Sequence, residues 1–302
     1  MAYKPRLEPD LLKILRLLNA RGNLTEQERK YFENKKKGYE GEVFFDQVVT
    51  DPLHGEGIVL NDLLFKFNNT FFQIDTAIIF RDIIKLFDVK NFQGEYYYEE
   101  GRFFSINGSE RDDPLVQLER CLSHFRQLLY NLGYKGDVEA YVVHVNPEFT
   151  LYQVPRTYPI IFLSQLNSLR KKLNQNHAKL TDWHRRLADK LISLHIVESP
   201  YDLAPAYDFS SLRKGNNCGK CQSFSVTVGD RILVCGDCGH EETVESLILR
   251  SVGEIKLLFP DMKITVNVVY EWCGGVWSKW VIRSVLKKHF RATGYGQWSF
   301  YE

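Results

Sequence analysis

Two aspartates and a lysine stand close together in the first third of the chain, in the stretches Gln73-Ile74-Asp75 and Asp88-Val89-Lys90. Carboxylate oxygens are the ligands that Mg²⁺ and Mn²⁺ prefer in proteins. An ammonium beside such a cation can orient an attacking water or stabilise the negative charge that builds on a phosphate. These residue types therefore indicate metal-dependent cleavage of a phosphodiester, provided that the fold brings them together.

The sequence predicts that Asp75 and Asp88 face each other across a β-hairpin. Residues 71–80 and 83–90 are rich in β-branched and aromatic side chains, and only Arg81-Asp82 separates them. A two-residue loop sets the register, which gives the pairs Phe80–Ile83, Ile79–Ile84, Ala77–Leu86, Asp75–Asp88 and Gln73–Lys90. Carboxylates opposed at about 5 Å repel by roughly 3 kcal/mol at an effective dielectric constant of about 20. A divalent cation between them would turn that repulsion into binding.

The same hairpin also permits an interpretation without chemistry. Charged residues are common at strand ends, so Asp88 and Lys90 can form a solvated edge. Arg-Asp is not a preferred hairpin dipeptide, and a one-residue bulge would separate the two carboxylates. The residues alone leave this alternative open.

Glu42 supplies a third carboxylate. Residues 38–45 predict the start of a helix in which Glu42 shares one stripe with Tyr39, Phe45 and Val49, so its side chain faces inward. A buried glutamate needs a partner. That partner is either the predicted site or, as the alternative, one of the lysines from Lys35 to Lys37.

Taken together, the motifs resemble the NERD (nuclease-related) domain, which is related to the PD-(D/E)xK restriction-endonuclease-like nucleases. They are Gly41-Glu42, Gln73-Ile74-Asp75, Asp88-Val89-Lys90-Asn91 followed by Gly94, and Gln117 on a later helix. The resemblance covers roughly residues 35 to 155, and the combination is more specific than any single motif.

The resemblance implies a role for each matched residue. Asp75 and Asp88 would be metal ligands, Lys90 the catalytic lysine, and Glu42 a supporting carboxylate. Gln117 would lie at the edge of the site. Two positions depart from the family pattern, because Asp88 stands where NERD proteins more often have glutamate and no proline precedes Asp75.

Four of the six cysteines form the strongest local motif, Cys218-Gly-Lys-Cys221 and Cys235-Gly-Asp-Cys238, with thirteen residues between the pairs. Residues 224–234 predict a hairpin turned at Gly229-Asp230, so the motif predicts a zinc ribbon. Two disulfides are disfavoured in a reducing compartment, and a redox CxxC would not need a second copy. A closed four-cysteine site serves folding or docking. Cys121 and Cys273 are interpreted as small buried apolar residues.

The C-terminal region predicts helices at 243–259, 264–272 and 278–290, although the β-branched residues of 264–272 favour a strand. The last helix has an apolar side with Trp280, Val281, Val285 and Leu286. The sequence around 294–298 resembles the wing of a winged helix. Predicted nucleic-acid contacts are Lys279, Arg283, Lys287, Lys288 and Arg291. The alternative is a helix that only packs.

Composition limits the class of protein. The chain has 302 residues, 44% of them apolar, which predicts a folded, multidomain protein. Its net charge of +1 gives no general attraction to nucleic acid, so local basic patches must supply any contact. The sequence has no apolar run of about 18 residues and no signal segment, which favours a cytoplasmic protein without membrane contact.

The sequence as a whole predicts a bacterial-type α/β protein with a restriction-endonuclease-like mixed sheet flanked by helices, a four-cysteine zinc ribbon and a C-terminal winged-helix-like domain. The predicted domains are a helical extension (1–34), a nuclease-like domain (35–155), a helical segment (156–209), the ribbon (210–242) and the winged-helix-like module (243–302).

The predicted function is endonucleolytic hydrolysis, with Mg²⁺ or Mn²⁺ held by Asp75, Asp88 and the Val89 carbonyl, and with structural Zn²⁺. DNA is favoured over RNA as the partner, and a homo-oligomer or a protein partner is compatible with the sequence. A non-catalytic nucleic-acid-binding protein and a zinc-ribbon interaction scaffold are the alternatives.

Overall fold

The structure is a computed structural model. It describes all residues except Met1, Asn23, Asn176, His177, Glu198, Tyr201, Asp202, Asp230, Tyr295, Gln297 and Trp298. The chain forms two compact units, one from Met1–Glu8 and Glu33–Asp202, the other from Pro9–Phe32 and Leu203–Glu302. Residues 1–34, grouped above as one extension, are thus divided between the units. Lys4 bonds to a strand of the first unit, whereas Leu18 is buried in the core of the second.

In the described part of the chain the helices are α1 (Asp10–Arg21), α2 (Glu26–Phe45), α3 (Pro114–Asn131), α4 (Leu166–Asn174), α5 (Asp182–Leu194), α6 (Val244–Leu258), α7 (Val266–Trp272) and α8 (Lys279–His289). The strands are β1 (Ile58–Phe67), β2 (Thr70–Ile79), β3 (Ile83–Lys90), β4 (Gly94–Glu99), β5 (Arg102–Ser105), β6 (Asp137–His144), β7 (Phe149–Tyr152), β8 (Ile160–Phe162), β9 (Val226–Val228), β10 (Ile232–Cys235), β11 (Glu241–Thr243), β12 (Ala292–Thr293) and β13 (Phe300–Tyr301). None of these helices is both long and apolar enough to cross a membrane.

A mixed five-stranded sheet, in the order β1-β2-β3-β6-β8, is central to the first unit. The first three strands are antiparallel, and β6 and β8 continue the sheet in parallel. On β3, Ile84 and Leu86 pack into the core that α3 and α5 cover, whereas Phe87 and Val89 pack with the end of α2 and with α4. Helices thus cover both faces, and the predicted α/β fold class is confirmed.

The β1–β2 hairpin changes faces where it reaches Asp62. Leu60 and Leu63 pack into the same core although they are three residues apart, and so do Ile74 and Ala77 on β2. Asp62 has φ = 53°, a left-handed conformation that costs a non-glycine residue on the order of 1–3 kcal/mol. From Asp62 onward, the side chains therefore lie on the opposite face of the sheet from the one that strict alternation predicts.

The register between β2 and β3 is partly as predicted. The pairs Ile79–Ile84 and Ala77–Leu86 form, and the pairing ends at Thr76–Phe87. All residues of both strands are described, so the predicted pairs Asp75–Asp88 and Gln73–Lys90 are wrong. The face change at Asp62 explains the difference, because it disturbs β2 at the level of Asp75.

Helix α2 is longer than predicted, since it begins at Glu26 and not near residue 38. Its first turns carry mostly charged residues and give no apolar stripe that a sequence could reveal. The predicted inward positions at its end are confirmed for Phe45 and for Val49, which lies in the π-helical turn Asp46–Thr50; both are fully buried.

An apolar core of the second unit joins α1, the ribbon strand β10 and the helices α6 to α8. Residues 210–217 pack against this unit in spite of their polar composition, because Leu212 and Asn217 are buried. The side chain of Arg21 fixes this segment by donating to the carbonyls of Arg213 and Gly215.

Residues 266–272 form helix α7 in spite of their β-branched side chains, whereas Ile264, the first residue of the predicted range, makes an antiparallel bridge with Tyr301. Thr265 caps α7 by accepting a hydrogen bond from the Val268 N–H. After α8, β12 and β13 pair antiparallel. Of the predicted wing at 294–298, Tyr295, Gln297 and Trp298 lie outside the described residues.

Candidate functional site

The structure brings Asp75, Asp88 and Lys90 together, although by a different route from the predicted pairing. Asp75 Oδ2 accepts a hydrogen bond from the Val89 N–H at 2.8 Å. Lys90 Nζ donates to Asp88 Oδ1 at 3.0 Å and lies 2.9 Å from Oδ2. The backbone pairing of β2 with β3 runs from the turn only as far as Thr76–Phe87. Asp75 lies just beyond this pair and reaches the backbone of β3 with its side chain.

Gln117 on α3 completes this group. Lys90 Nζ donates to its Oε1 at 3.0 Å, so Gln117 contacts the predicted lysine as a residue at the site edge would. The helix is positioned by its first residues, because Asp113 accepts from the Leu115 N–H and Pro114 occupies the first helical turn.

Burial decides the direction of the pKa shift of Asp88 but not that of Lys90. Burial and the charge of Asp75 raise the pKa of Asp88 to about 6, although Lys90 acts in the opposite direction. Burial acts to lower the pKa of Lys90, but the charges of Asp88 and Asp75 outweigh it, so the pKa is raised. Lys90 is therefore an ammonium at neutral pH.

Glu42 has a partner in the N-terminal segment. Its Oε2 accepts from Arg6 Nη1 at 2.6 Å, so Glu42 is ion-paired, as the alternative interpretation supposed, but with an arginine. Lys36 lies 3.9 Å from Glu40 and Lys37 donates to Gln93. Burial and the charge of Asp75 raise the pKa of Glu42 well above its usual value, while Arg6 opposes them. Gly41 permits the close approach of α2, because a Cβ there would lie 2.7 Å from the Asn91 Cβ.

Sequence reasoning missed Arg6, Asp46 and Asp62. Arg6 Nε donates to Asp46 Oδ2 at 2.8 Å, and Nη1 donates to Asp62 Oδ1 at 3.0 Å. The polar pair Asn61-Asp62 inside the apolar strand β1 was a usable signal. A lone arginine near the N-terminus gave none, because only the tertiary fold brings it to this site.

The donor chemistry of Asp75 and Asp88 fits a hard divalent cation. Asp88 Oδ2 is buried and is contacted by the Lys90 ammonium at 2.9 Å, and Asp75 uses Oδ2 for Val89. Within the described chain, the cysteine cluster is the only group of three or more metal-ligating side chains whose ligand atoms lie within 4.8 Å of one another. A cation between the two aspartates would therefore keep several waters, as Mg²⁺ usually does.

Cys121 lies beside this site and is half-buried, not fully buried as predicted. Its thiol donates to the Gln73 carbonyl. Burial and the nearby carboxylates raise the pKa of the thiol to about 12, so it stays protonated at neutral pH.

A groove of about 770 Å³ adjoins Gln117. It is lined by apolar and charged side chains, among them Phe72, Phe103, Arg102, Arg111, Arg120 and Glu110. Arg111 and Arg120 are exposed and form no ion pair with the described residues. The groove thus offers cationic side chains next to the site.

The four cysteines form a second site, in the other unit. The Sγ atoms of Cys218 and Cys238 are 3.6 Å apart, those of Cys221 and Cys235 are 3.5 Å apart, and all four lie within 4.8 Å of one another. Tetrahedral zinc with Zn–S bonds of about 2.3 Å places sulfurs roughly 3.8 Å apart. Cys235 ends β10 of the antiparallel sheet β9-β10-β11, and the other three cysteines lie outside these strands. The cluster fits the predicted zinc ribbon; Asp230 of its predicted turn is outside the described residues.

Backbone N–H groups lower the pKa of one of these thiols. Burial acts to raise the pKa of Cys218, but the N–H groups of Cys221 and Lys220 outweigh it and lower the pKa to about 7. A thiol of this kind deprotonates readily, and the thiolate is the form that binds zinc.

The five predicted nucleic-acid contacts around α8 are exposed. Lys288 is paired with Glu245 at 2.7 Å, and Lys279 Nζ lies 5.1 Å from the centre of the Tyr270 ring. The prediction that Trp280 lies on the packed side of the helix is wrong, because its side chain is 75% exposed. It lies one residue from Lys279 on a helix whose buried face is already filled by Ile282, Val285 and Leu286.

Residues 37–145 match the family model of the nuclease-related domain, NERD. This confirms the resemblance seen in the motifs, and the restriction-endonuclease-like superfamily is consistent with it. The matched stretch contains Glu42, Asp75, Asp88, Lys90 and Gln117, whereas Arg6 and the cysteine cluster lie outside it. No curated protein and no solved structure matches the chain. The domain indicates a nuclease-related function that involves nucleic acid.

Proposed function

We propose, from the nuclease-related domain at residues 37–145, that the protein hydrolyses phosphodiester bonds in nucleic acid. The contact between Lys90, Asp88 and Gln117, with Asp75 anchored alongside, carries this proposal. We favour DNA as the substrate, cleavage within the strand, Mg²⁺ or Mn²⁺ as the cofactor, and a bacterial cytoplasm as the setting.

Asp75, Asp88 and the Val89 carbonyl would hold the cation. When bound, it would supply Lewis acidity toward the phosphate and the attacking water. The Val89 N–H holds Asp75 Oδ2 in place, so the other carboxylate oxygen is left to act as a ligand. Burial of Asp88 strengthens its interaction with any positive charge.

Lys90 would act as a charge stabiliser, since its ammonium group lies 2.9 Å from the Asp88 carboxylate. Asp88 and Gln117 fix Nζ from two sides, so the charge is preorganised for a phosphate oxygen, the situation in which electrostatic catalysis is most effective.

We expect the zinc-loaded protein to cleave nucleic acid in Mg²⁺ or Mn²⁺ and not in EDTA. The substrates are supercoiled plasmid, linear duplex DNA, single-stranded DNA and RNA, and the readout is product size on a gel. An Asp75→Ala, Lys90→Ala double variant purified in parallel controls for contaminating nucleases. Cleavage by the double variant, or cleavage in EDTA, would overturn the site assignment.

A second candidate function, nucleic-acid binding without cleavage, is favoured by the exposed Trp280 beside the cations of α8. Exposed aromatic rings can stack on bases, and lysine or arginine side chains neutralise phosphates. The order α6, α7, α8, β12, β13 is that of a winged helix, and we interpret the module in this way. Arg283 and Lys287 form no ion pair with described residues, so their charges are available to phosphates.

Reversing the charges of Lys279, Arg283 and Lys287 to glutamate is expected to weaken nucleic-acid binding. The slope of log K against log salt should flatten by roughly 0.9 for each phosphate that the protein no longer neutralises. Fluorescence anisotropy at several salt concentrations measures both the affinity and this slope.

The matched control reverses Arg185, Arg186 and Lys190 on α5, which are exposed and give the same change in net charge. If both triple variants lose affinity equally, only the overall charge matters and α8 is not the binding surface.

A further inference from the structure

Arg6 is a buried cation on the acidic side of the proposed site. Its side chain is 3% exposed, and one guanidinium group binds oxygens from several elements. These are Glu42 Oε2 at 2.6 Å, Asp46 Oδ2 at 2.8 Å, Asp62 Oδ1 at 3.0 Å, the Asp75 carbonyl at 2.9 Å and Thr76 Oγ1 at 3.1 Å. Three carboxylates, a carbonyl and a hydroxyl therefore converge on a single positive group.

The segment before Arg6 is hydrogen-bonded to β1, and this pairing fixes the position of the Arg6 backbone. The N–H of Tyr3 donates to the Val59 carbonyl at 2.9 Å, and the Asn61 N–H donates to the Lys4 carbonyl at 3.0 Å. Lys4 Nζ also donates to the carbonyls of Asn61 and Asp62. The N-terminal segment is thus an integral part of the first unit.

The backbone of β1 is strained at the residue that meets Arg6. Asp62 has φ = 53°, and strained positions of this kind persist where the surrounding contacts compensate for them. The contacts here are the ion pair with Arg6 and the bond from Lys4. The strained conformation therefore accompanies the convergence of the carboxylates around Arg6.

We propose that Arg6 occupies the position of a second divalent cation, so that the first unit binds one such ion at Asp75 and Asp88 and not two. The location of that one ion rests on the proposed function. Without the guanidinium, the five oxygens form a set of hard donors of the kind that Mn²⁺ and Ca²⁺ bind. The carboxylate side chains would have to move closer together to bind an ion, because a guanidinium group is wider than a metal ion. Arg6 is a positioning residue, which holds Glu42 and the backbone of Asp75.

The test is to count Mn²⁺ ions by isothermal titration calorimetry on the full-length, zinc-loaded protein. Arg6→Met removes the charge at similar length, and we expect it to bind one Mn²⁺ more per chain than the wild type. Its melting temperature should also rise more on addition of Mn²⁺. Arg6→Lys keeps a cation, and Lys4→Met disturbs the same segment without touching the carboxylates. Both controls should bind as many ions as the wild type.

Each outcome decides one of two questions. An equal count for Arg6→Met and the wild type, or two Mn²⁺ in the wild type, overturns the role of Arg6. A count of none in the wild type and one in Arg6→Met supports that role but contradicts the proposed ligands Asp75 and Asp88. If Arg6→Met does not fold even with Mn²⁺, the Glu42→Gln, Asp62→Asn double variant decides. According to the proposal, Glu42 and Asp62 hold no divalent cation in the wild type, so this variant must bind the same number of Mn²⁺ ions as the wild type. The loss of one Mn²⁺ overturns the proposal.

Discussion

Replacing Lys90 by methionine is expected to lower kcat for phosphodiester cleavage by about 10²–10³-fold, the usual effect of removing one preorganised donor to a developing negative charge. Methionine preserves most of the apolar stem but removes the ammonium that Asp88 and Gln117 hold. KM should change much less, because the charge matters most in the transition state. Steady-state kinetics at saturating Mg²⁺ measure both constants.

Lys85→Met is the matched control for this variant. Lys85 lies on the same strand, but it pairs with Glu139 on the face that carries neither Asp88 nor Lys90. We expect its kcat to stay within about twofold of the wild type, because it cannot reach the proposed phosphate position and exposed ion pairs contribute little. Equal losses in the two variants would show that general destabilisation, and not the position of the Lys90 charge, determines activity.

Replacing Cys235 by alanine is expected to abolish zinc binding and to unfold the ribbon. Structural zinc contributes on the order of 10–16 kcal/mol in small zinc-dependent folds, as much as the whole stability of a typical domain, about 5–15 kcal/mol. Hydrogen exchange should speed up in β9, β10 and β11, and the melting temperature of the second unit should fall. Leu233 on β10 is fully buried in the core shared with α6 to α8, so the loss should extend to these helices.

Cys273→Ala serves as the control because Cys273 is equally buried in the same unit but lies outside the metal cluster. Its zinc content, measured by atomic absorption, should remain one per chain. A Cys235→Ala protein that retains zinc and wild-type exchange rates would show that the four cysteines are not a structural metal site.

Local patterns in the sequence were sufficient where neighbours along the chain make the structure. The CxxC pairs place four sulfurs at one point because each pair is a single turn, and one hairpin joins them. The β2–β3 hairpin follows from two apolar runs and a two-residue connection, so its register near the turn could be counted. Helices α3 and α6 follow from their apolar periodicity and their caps.

The sequence by itself thus determined the fold class, the nuclease-related domain and the four-cysteine cluster. Only the tertiary structure decided how the acidic site is organised. Strict strand alternation failed at Asp62, because one residue in a left-handed conformation reverses the faces of two strands. Arg6 is 69 residues from Asp75 in the chain, and its position depends on backbone pairing between the N-terminal segment and β1. Short-range patterns determine which elements form, whereas the contacts of a buried charge depend on which distant segments pack around it.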